Sequence, residues 1–239
     1  MKIMGIDISS KSTGWSIIED DNLLEYGKIN PTGKMSTAQK LCLFSIELNK
    51  IIDAQKPDAI AIEDVVQVKS VSVAKILARF NGVAIVEAYK YLQKDPPLYE
   101  PSKWKKVLED CSGSSKKCEI QLSVCKIYNL LTKEKISFYK DRIEKAKASS
   151  KLDVDETRLL IKQLKKDMKK AKKAGESLAD IEEQILSFNK RLKKDRKSGK
   201  KQMSKEFDKI SMDIYAETSI NEDIADAIGV ARAYQKDLK

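Results

Sequence analysis

Residues 2–18, KIMGIDISSKSTGWSII, decide how this chain folds. Residues 2–8 form a short apolar run that reads as a strand closing on Asp7. Ser9 to Lys11 turn the chain, and Thr13 to Ile18 read as a second strand. Leu23 to Ile29 follow Asp21-Asn22 as a third, which makes an antiparallel meander. Working outward, a helix over about 36–55 buries Leu41, Phe44, Ile46, Leu48, Ile51 and Ile52. Residues 59–62 (AIAI) are apolar on both faces, as a central parallel strand requires, and end in Glu63. A long helix is expected at about 71–93 and a brief strand at Pro97 to Tyr99. Helices are expected at about 102–109, 115–131 and 222–236. The pattern is α/β with a mixed sheet.

The 239 residues include 46 Lys+Arg and 36 Asp+Glu, a formal charge of +10, and no His. Mechanisms that need imidazole, such as serine-protease triads and His-ligated zinc, are therefore excluded. No stretch approaches the roughly 18 apolar residues of a membrane helix, and Asp7 interrupts the first apolar run, so a soluble, membrane-free, cytoplasmic protein is expected. Cys42, Cys111, Cys118 and Cys125 form no CxxC pair. Cys118 and Cys125, seven apart, fall on one helical face and read as small buried thiols.

The charge is uneven. Residues 133–201 hold 23 basic and 12 acidic side chains, against 23 and 24 in the rest of the chain. The division expected is therefore a near-neutral body, 1–132 plus 202–239, interrupted by a basic helical insertion, 133–201. Within the insertion Leu178, Ile181, Ile185, Phe188 and Leu192 step as a coiled-coil seam. Ile136, Tyr139, Ile143 and Ala146 do likewise, and Leu160, Leu164, Met168 and Ala171 continue more loosely. Gly175 and Ser177 mark a helix end and a new N-cap. The spacing predicts a hairpin of about 154–173 against 178–197, preceded by a separate helix. Such lysine surpluses bind polyanions through counterion release.

Acids end both central strands, Asp7 and Glu63. Asp223 and Asp226, at i and i+3, share one face of the last helix. Singly, each has an ordinary reading as turn-former or helix N-terminal acid. Together they are four carboxylates with no basic neighbour in sequence, and like charges at about 4 Å cost on the order of 4 kcal/mol per pair at an effective dielectric of 20. Bound cations offset that cost. All-oxygen ligands select Mg²⁺ or Mn²⁺, and the pattern suits two-metal phosphodiester hydrolysis.

Four stretches carry a resemblance: GIDISSKSTGW (5–15), AIAIEDV (59–65), the run from Lys69 to Val86 and on to Ala88, and EDIADAIGVA (222–231). In order and separation they resemble the RuvC family of Holliday junction resolvases. The first stretch alone also resembles the phosphate loop of an actin-like ATPase, but no second Asp-Gly loop follows and no nucleotide cofactor is expected. The resemblance implies a ribonuclease H-like five-stranded sheet and a homodimer that cuts four-way DNA junctions by paired nicks; the lysine-heavy, arginine-poor composition suggests a bacterial cell or a phage-infected host. It implies Asp7, Glu63, Asp223 and Asp226 as catalytic metal ligands, with two Mg²⁺ or Mn²⁺ per site. Lys69, Lys105, Lys106, Lys116 and Lys117 match segments that contact DNA. Lys116 and Lys117 run against the macrodipole preference at a helix start. Val66 stands where many relatives carry an aromatic wedge, which leaves open a broader branched-DNA nuclease; a non-catalytic junction-binding module is the other alternative. The resemblance covers none of residues 133–201.

Overall fold

A computed structural model describes residues 1–31, 33–65, 70–174 and 179–239, apart from the side chains at 152, 153, 171, 173 and 174. The chain divides into two compact units, residues 1–136 with 211–239, and residues 137–210. The second unit thus ends at Ile210, where the charge count had set the limit at 201.

In the first unit, β1 (Lys2–Asp7), β2 (Thr13–Glu19), β3 (Asn22–Ile29), β4 (Ala59–Glu63) and β5 (Leu98–Tyr99) form one sheet in the order β3-β2-β1-β4-β5. β1 to β3 pair antiparallel, while β4 joins β1 and β5 in parallel. This is the mixed five-stranded arrangement expected. Ile6 pairs with Ile62, so Asp7 and Glu63 leave the sheet side by side at the ends of neighbouring parallel strands. In open α/β sheets that end is where ligands bind.

The period of two sorts each strand onto two layers. Met4, Ile6, Ile60 and Ile62 pack on one side against α1 (Thr37–Gln55) and α2 (Val71–Leu92), with Phe44 and Phe80 between them. Ala61 faces the other layer, made of α4 (Lys117–Ile127) and α7 (Glu222–Asp237). Small residues line that second face because α7 lies almost on the backbone of β1 and β2. A Cβ at Gly14 would stand 2.0 Å from the carbonyl oxygen of Asp223. The obstacle is backbone and cannot rotate away. Gly14→Ala should therefore displace the first turn of α7, costing about 1–3 kcal/mol in urea unfolding and moving Asp223. A variant of unchanged stability would show that α7 does not seat there.

Two expected helices come out shorter. Pro101 starts α3 (Pro101–Trp104), which gives way to one 3₁₀ turn over Lys105–Val107. Cys118 and Cys125 are both buried on α4, and neither is in a disulfide.

The second unit corrects the expected helix count. In place of a lone helix and a hairpin there are two continuous helices, α5 (Lys133–Ala174) and α6 (Ala179–Thr218). Arg142 pairs with Glu206, Ser150 meets Met203, and Thr157 donates to Asp195, so rising numbers on α5 meet falling numbers on α6. The two helices are antiparallel. The α5 seam also differs from expectation: Ile161 is buried at 7% exposure, whereas Leu160 is 39% exposed. Val154, Thr157, Ile161 and Leu164 form the seam, since Thr157 faces Asp195 and fixes the rotation of the helix. Leu178 and the Gly175–Ser177 turn lie outside the described residues.

Candidate active site

Each acid reaches the site for a local reason. Asp7 is carried by β1 and is only 9% exposed; Glu63 is carried by β4 beside it. Gly14, the strand partner of Asp7, lets Asp223 of α7 approach. Asn221 caps α7 by accepting from the Ile224 N–H at 2.9 Å, which sets where the helix begins. One helical turn further on, Asp226 enters the same space.

The electrostatics show that the four are neighbours. The Asp7 carboxyl is pushed well above the ordinary carboxylate range by burial, then by its hydrogen bond to the Glu63 carboxyl, then by the charges of Asp226 and Asp223. Burial, with the Glu63 charge next, pushes Asp226 up to about 8, against the pull of Lys105 and Lys117. Its Oδ1 is buried without a hydrogen-bond partner. A buried, unpartnered carboxylate oxygen is costly, and a divalent cation is the partner that oxygen atoms of this kind take. The donor set therefore fits hard cations. Among the described residues, no three such side chains yet stand as a finished ligand set. The site is a cluster of neighbouring carboxyls in which Asp7 and Glu63 share a hydrogen bond.

Several residues that the sequence did not single out hold the acids in place. Ser12 donates to Asp223 Oδ2 at 2.6 Å, and Asn221 Nδ2 to the same oxygen at 3.2 Å. Trp104, fully buried, donates its Nε1–H to Glu63 Oε1 at 3.3 Å. Asn81 anchors the Glu63 carbonyl at 3.0 Å. No spacing signals these contacts, because each joins distant parts of the chain. Trp104→Phe keeps the ring but loses the donor. Cleavage should fall about 10- to 100-fold, the usual effect of losing a ligand-orienting partner, alongside a loss of about 1–3 kcal/mol in stability from the smaller buried side chain. Full activity would remove Trp104 from the site.

The lysines separate. Lys105 lies over the Trp104 ring, and it and Lys117 are close enough to act on the Asp226 charge. The four acids thus have basic neighbours in space that they lack in sequence. Lys117 is ion-paired with Glu222. Burial opposes its ammonium charge, but Glu222, with Asp226 and Asp223, outweighs it and raises the pKa. The Lys116 N–H is capped by Glu119 Oε2 at 2.6 Å, so α4 carries its own acid against the dipole. Lys106 and Lys116 are exposed. Val66 and Lys69 lie outside the described residues.

A family model described as crossover junction endodeoxyribonuclease RuvC matches residues 3–144. The chain belongs to the RuvC family. Curated RuvC relatives include that of Finegoldia magna, 36% identical over 104 residues, which are 42% of this chain and 62% of the relative. The RuvC of Ruminiclostridium cellulolyticum is 31% identical over 134 residues, covering 54% of this chain and 80% of the relative. The match therefore spans less than two thirds of the first relative's length and four fifths of the second's. Among solved structures, Thermus thermophilus RuvC in complex with a Holliday junction substrate aligns at a TM-score of 0.47 and 18% identity, over 54% of this chain and 79% of the other.

The family match ends inside α5. It includes Asp7 and Glu63 but stops at residue 144, well before Asp223 and Asp226. Packing of α7 across β1 and β2 brings these two acids to the RuvC-matched pair.

Proposed function

We propose that this chain is a divalent-metal-dependent endonuclease that resolves four-way DNA junctions, with Asp7, Glu63, Asp223 and Asp226 holding Mg²⁺ or Mn²⁺. One observation carries this reading: two acids beyond the RuvC-matched stretch converge on the two within it, and one of them buries an oxygen with no partner. Two bound ions would activate water and stabilise the leaving 3′ oxygen of an in-line displacement. Ser12 and Asn221 keep Asp223 oriented, and Trp104 does so for Glu63. Lys105 and Lys117 supply positive charge beside Asp226, where a scissile phosphate would lie, and Lys106 and Lys116 would contact flanking phosphates. Val66 and Lys69, by the family resemblance, would meet DNA as well.

A homodimer gives two such sites for two opposed strands. Supporting it, Val86 and Tyr89 of α2 are exposed apolar side chains three residues apart on one helical face. No helix among the described residues is long and apolar enough to cross a membrane, and a bacterial cytoplasm is the proposed setting. The body would be the nuclease and the basic insertion an addition to it.

The test is a cleavage panel of four-way, three-way, flap and linear DNA in Mg²⁺, with Asp226→Asn as control. Preferential paired nicking of the four-way junction is expected. Equal cutting of all branched forms would instead favour the broader nuclease that Val66 allows, and binding without any cutting would leave a junction-binding module.

A further inference from the structure

The unit formed by residues 137–210 has 23 basic and 13 acidic side chains, and the antiparallel pairing places the surplus. On α5 the buried or half-buried seam residues Ile161, Leu164 and Met168 are each followed directly by a lysine: Lys162, Lys165 and Lys169. Lys172 continues the series. Steps of 3, 4 and 3 keep these four on one side of the helix, about 5 Å apart along the axis. On α6 the half-buried Leu192, Asp195 and Gly199 are followed in the same way by Lys193, Arg196 and Lys200. A pair of antiparallel helices is related by a two-fold axis normal to the plane that contains them. Positions just after the seam therefore fall on the same side of both helices, and because Thr157 meets Asp195, the α6 row starts where the α5 row ends and continues it as one basic strip.

All seven side chains are exposed, and among the described residues none has an ion-pair partner. The acids nearby are already engaged. Asp155 pairs with Arg158, Asp167 accepts from Gln163, and Asp195 accepts from Thr157 and pairs with Arg191. Glu182, at an equivalent α6 position, tempers the strip near the turn without cancelling it. Leu159 and Leu186 are exposed on the same unit, which would suit a second copy. Two copies carrying this charge repel each other, however, so a polyanion is the better match.

We propose that this hairpin is a second DNA-binding surface, a row of Lys162, Lys165, Lys169 and Lys172 on α5 continued along the same side by Lys193, Arg196 and Lys200 on α6, that grips the phosphate backbone of duplex DNA without reading bases. The proposal rests on the nuclease reading for the identity of the polyanion as DNA. Lysines at this spacing offer point charges with no planar fork to fix on a base edge. Their contribution is therefore electrostatic and independent of sequence.

The experiment compares the full chain with a variant carrying Lys162→Gln, Lys165→Gln, Lys169→Gln and Lys172→Gln, and with one carrying Arg at the same four positions. Affinity for a linear duplex is measured in chelator, so that nothing is cut, from about 50 to about 200 mM salt. The Gln variant should bind more weakly, with a log–log salt slope shallower by about 3 to 4, the value for about four lost phosphate contacts. The Arg variant should keep the parent slope. An unchanged slope in the Gln variant overturns the proposal, and an accompanying change in sedimentation would assign the surface to self-association. Cleavage of a four-way junction in Mg²⁺ is read separately. A parent that does not cut, with the slope shift present, sinks the nuclease reading and leaves this surface standing. A parent that cuts, with no slope shift, does the reverse.

Discussion

Asp7→Asn should reduce Mg²⁺-dependent junction cleavage by about 10³-fold or more while leaving junction binding intact or tighter. Asn matches the volume of Asp at the end of β1, so the buried position and the neighbouring strand pairings are kept. What goes is one anionic oxygen from the cluster. Charge stabilisation by bound metal contributes several kcal/mol to such transition states, and about 4 kcal/mol corresponds to a factor near 10³. Binding should not suffer, because removing a carboxylate beside the phosphate path removes repulsion. Single-turnover cleavage together with junction binding in chelator separates the two effects. Cleavage at the parental rate would contradict the assignment of Asp7.

The second large effect concerns Asp226 and pH. Its carboxyl titrates at about 8 in the folded chain, against an ordinary value near 3.8. Between those values the folded state holds a proton that the unfolded state has released. The contribution of this group to stability is therefore fully present below about pH 4 and is lost as pH rises through 8. The slope is on the order of 1 kcal/mol per pH unit for one fully coupled group. Asp7, shifted in the same direction, adds to it. Asp226→Asn should flatten part of this fall in metal-free urea unfolding and should also abolish cleavage. Divalent ions bind the deprotonated site, so stabilisation by Mg²⁺ should grow between pH 6 and 8. A parent whose metal-free stability is flat over that range, or a variant as steep as the parent, would show that the carboxyl is not buried among like charges.

The sheet and its flanking helices were legible because each element has one dominant period. AIAI at 59–62 cannot be amphipathic, and Asp7 and Glu63 announce themselves by ending apolar runs. Asp223 and Asp226 were legible as a pair but not as part of a basic neighbourhood. Lys105 and Lys117 reach Asp226 only through the tertiary packing of α4 and α7 and of the 3₁₀ turn. Trp104 was silent for the same reason, since its partner Glu63 is 41 residues away. In the hairpin, Leu159-Leu160-Ile161 is apolar at three consecutive positions, so periodicity cannot choose the seam residue; the Thr157–Asp195 contact from α6 does. The continuity of α5 was available in the sequence: residues 133–174 contain no Pro or Gly, and a weak stretch of seam is not a helix break.

Crystals equilibrated with Mn²⁺ and measured for anomalous scattering test the central claim most directly. The account predicts manganese peaks within about 2.0–2.2 Å of carboxylate oxygens from Asp7, Glu63, Asp223 and Asp226. Manganese bound only elsewhere, with these four side chains left uncoordinated, would contradict it.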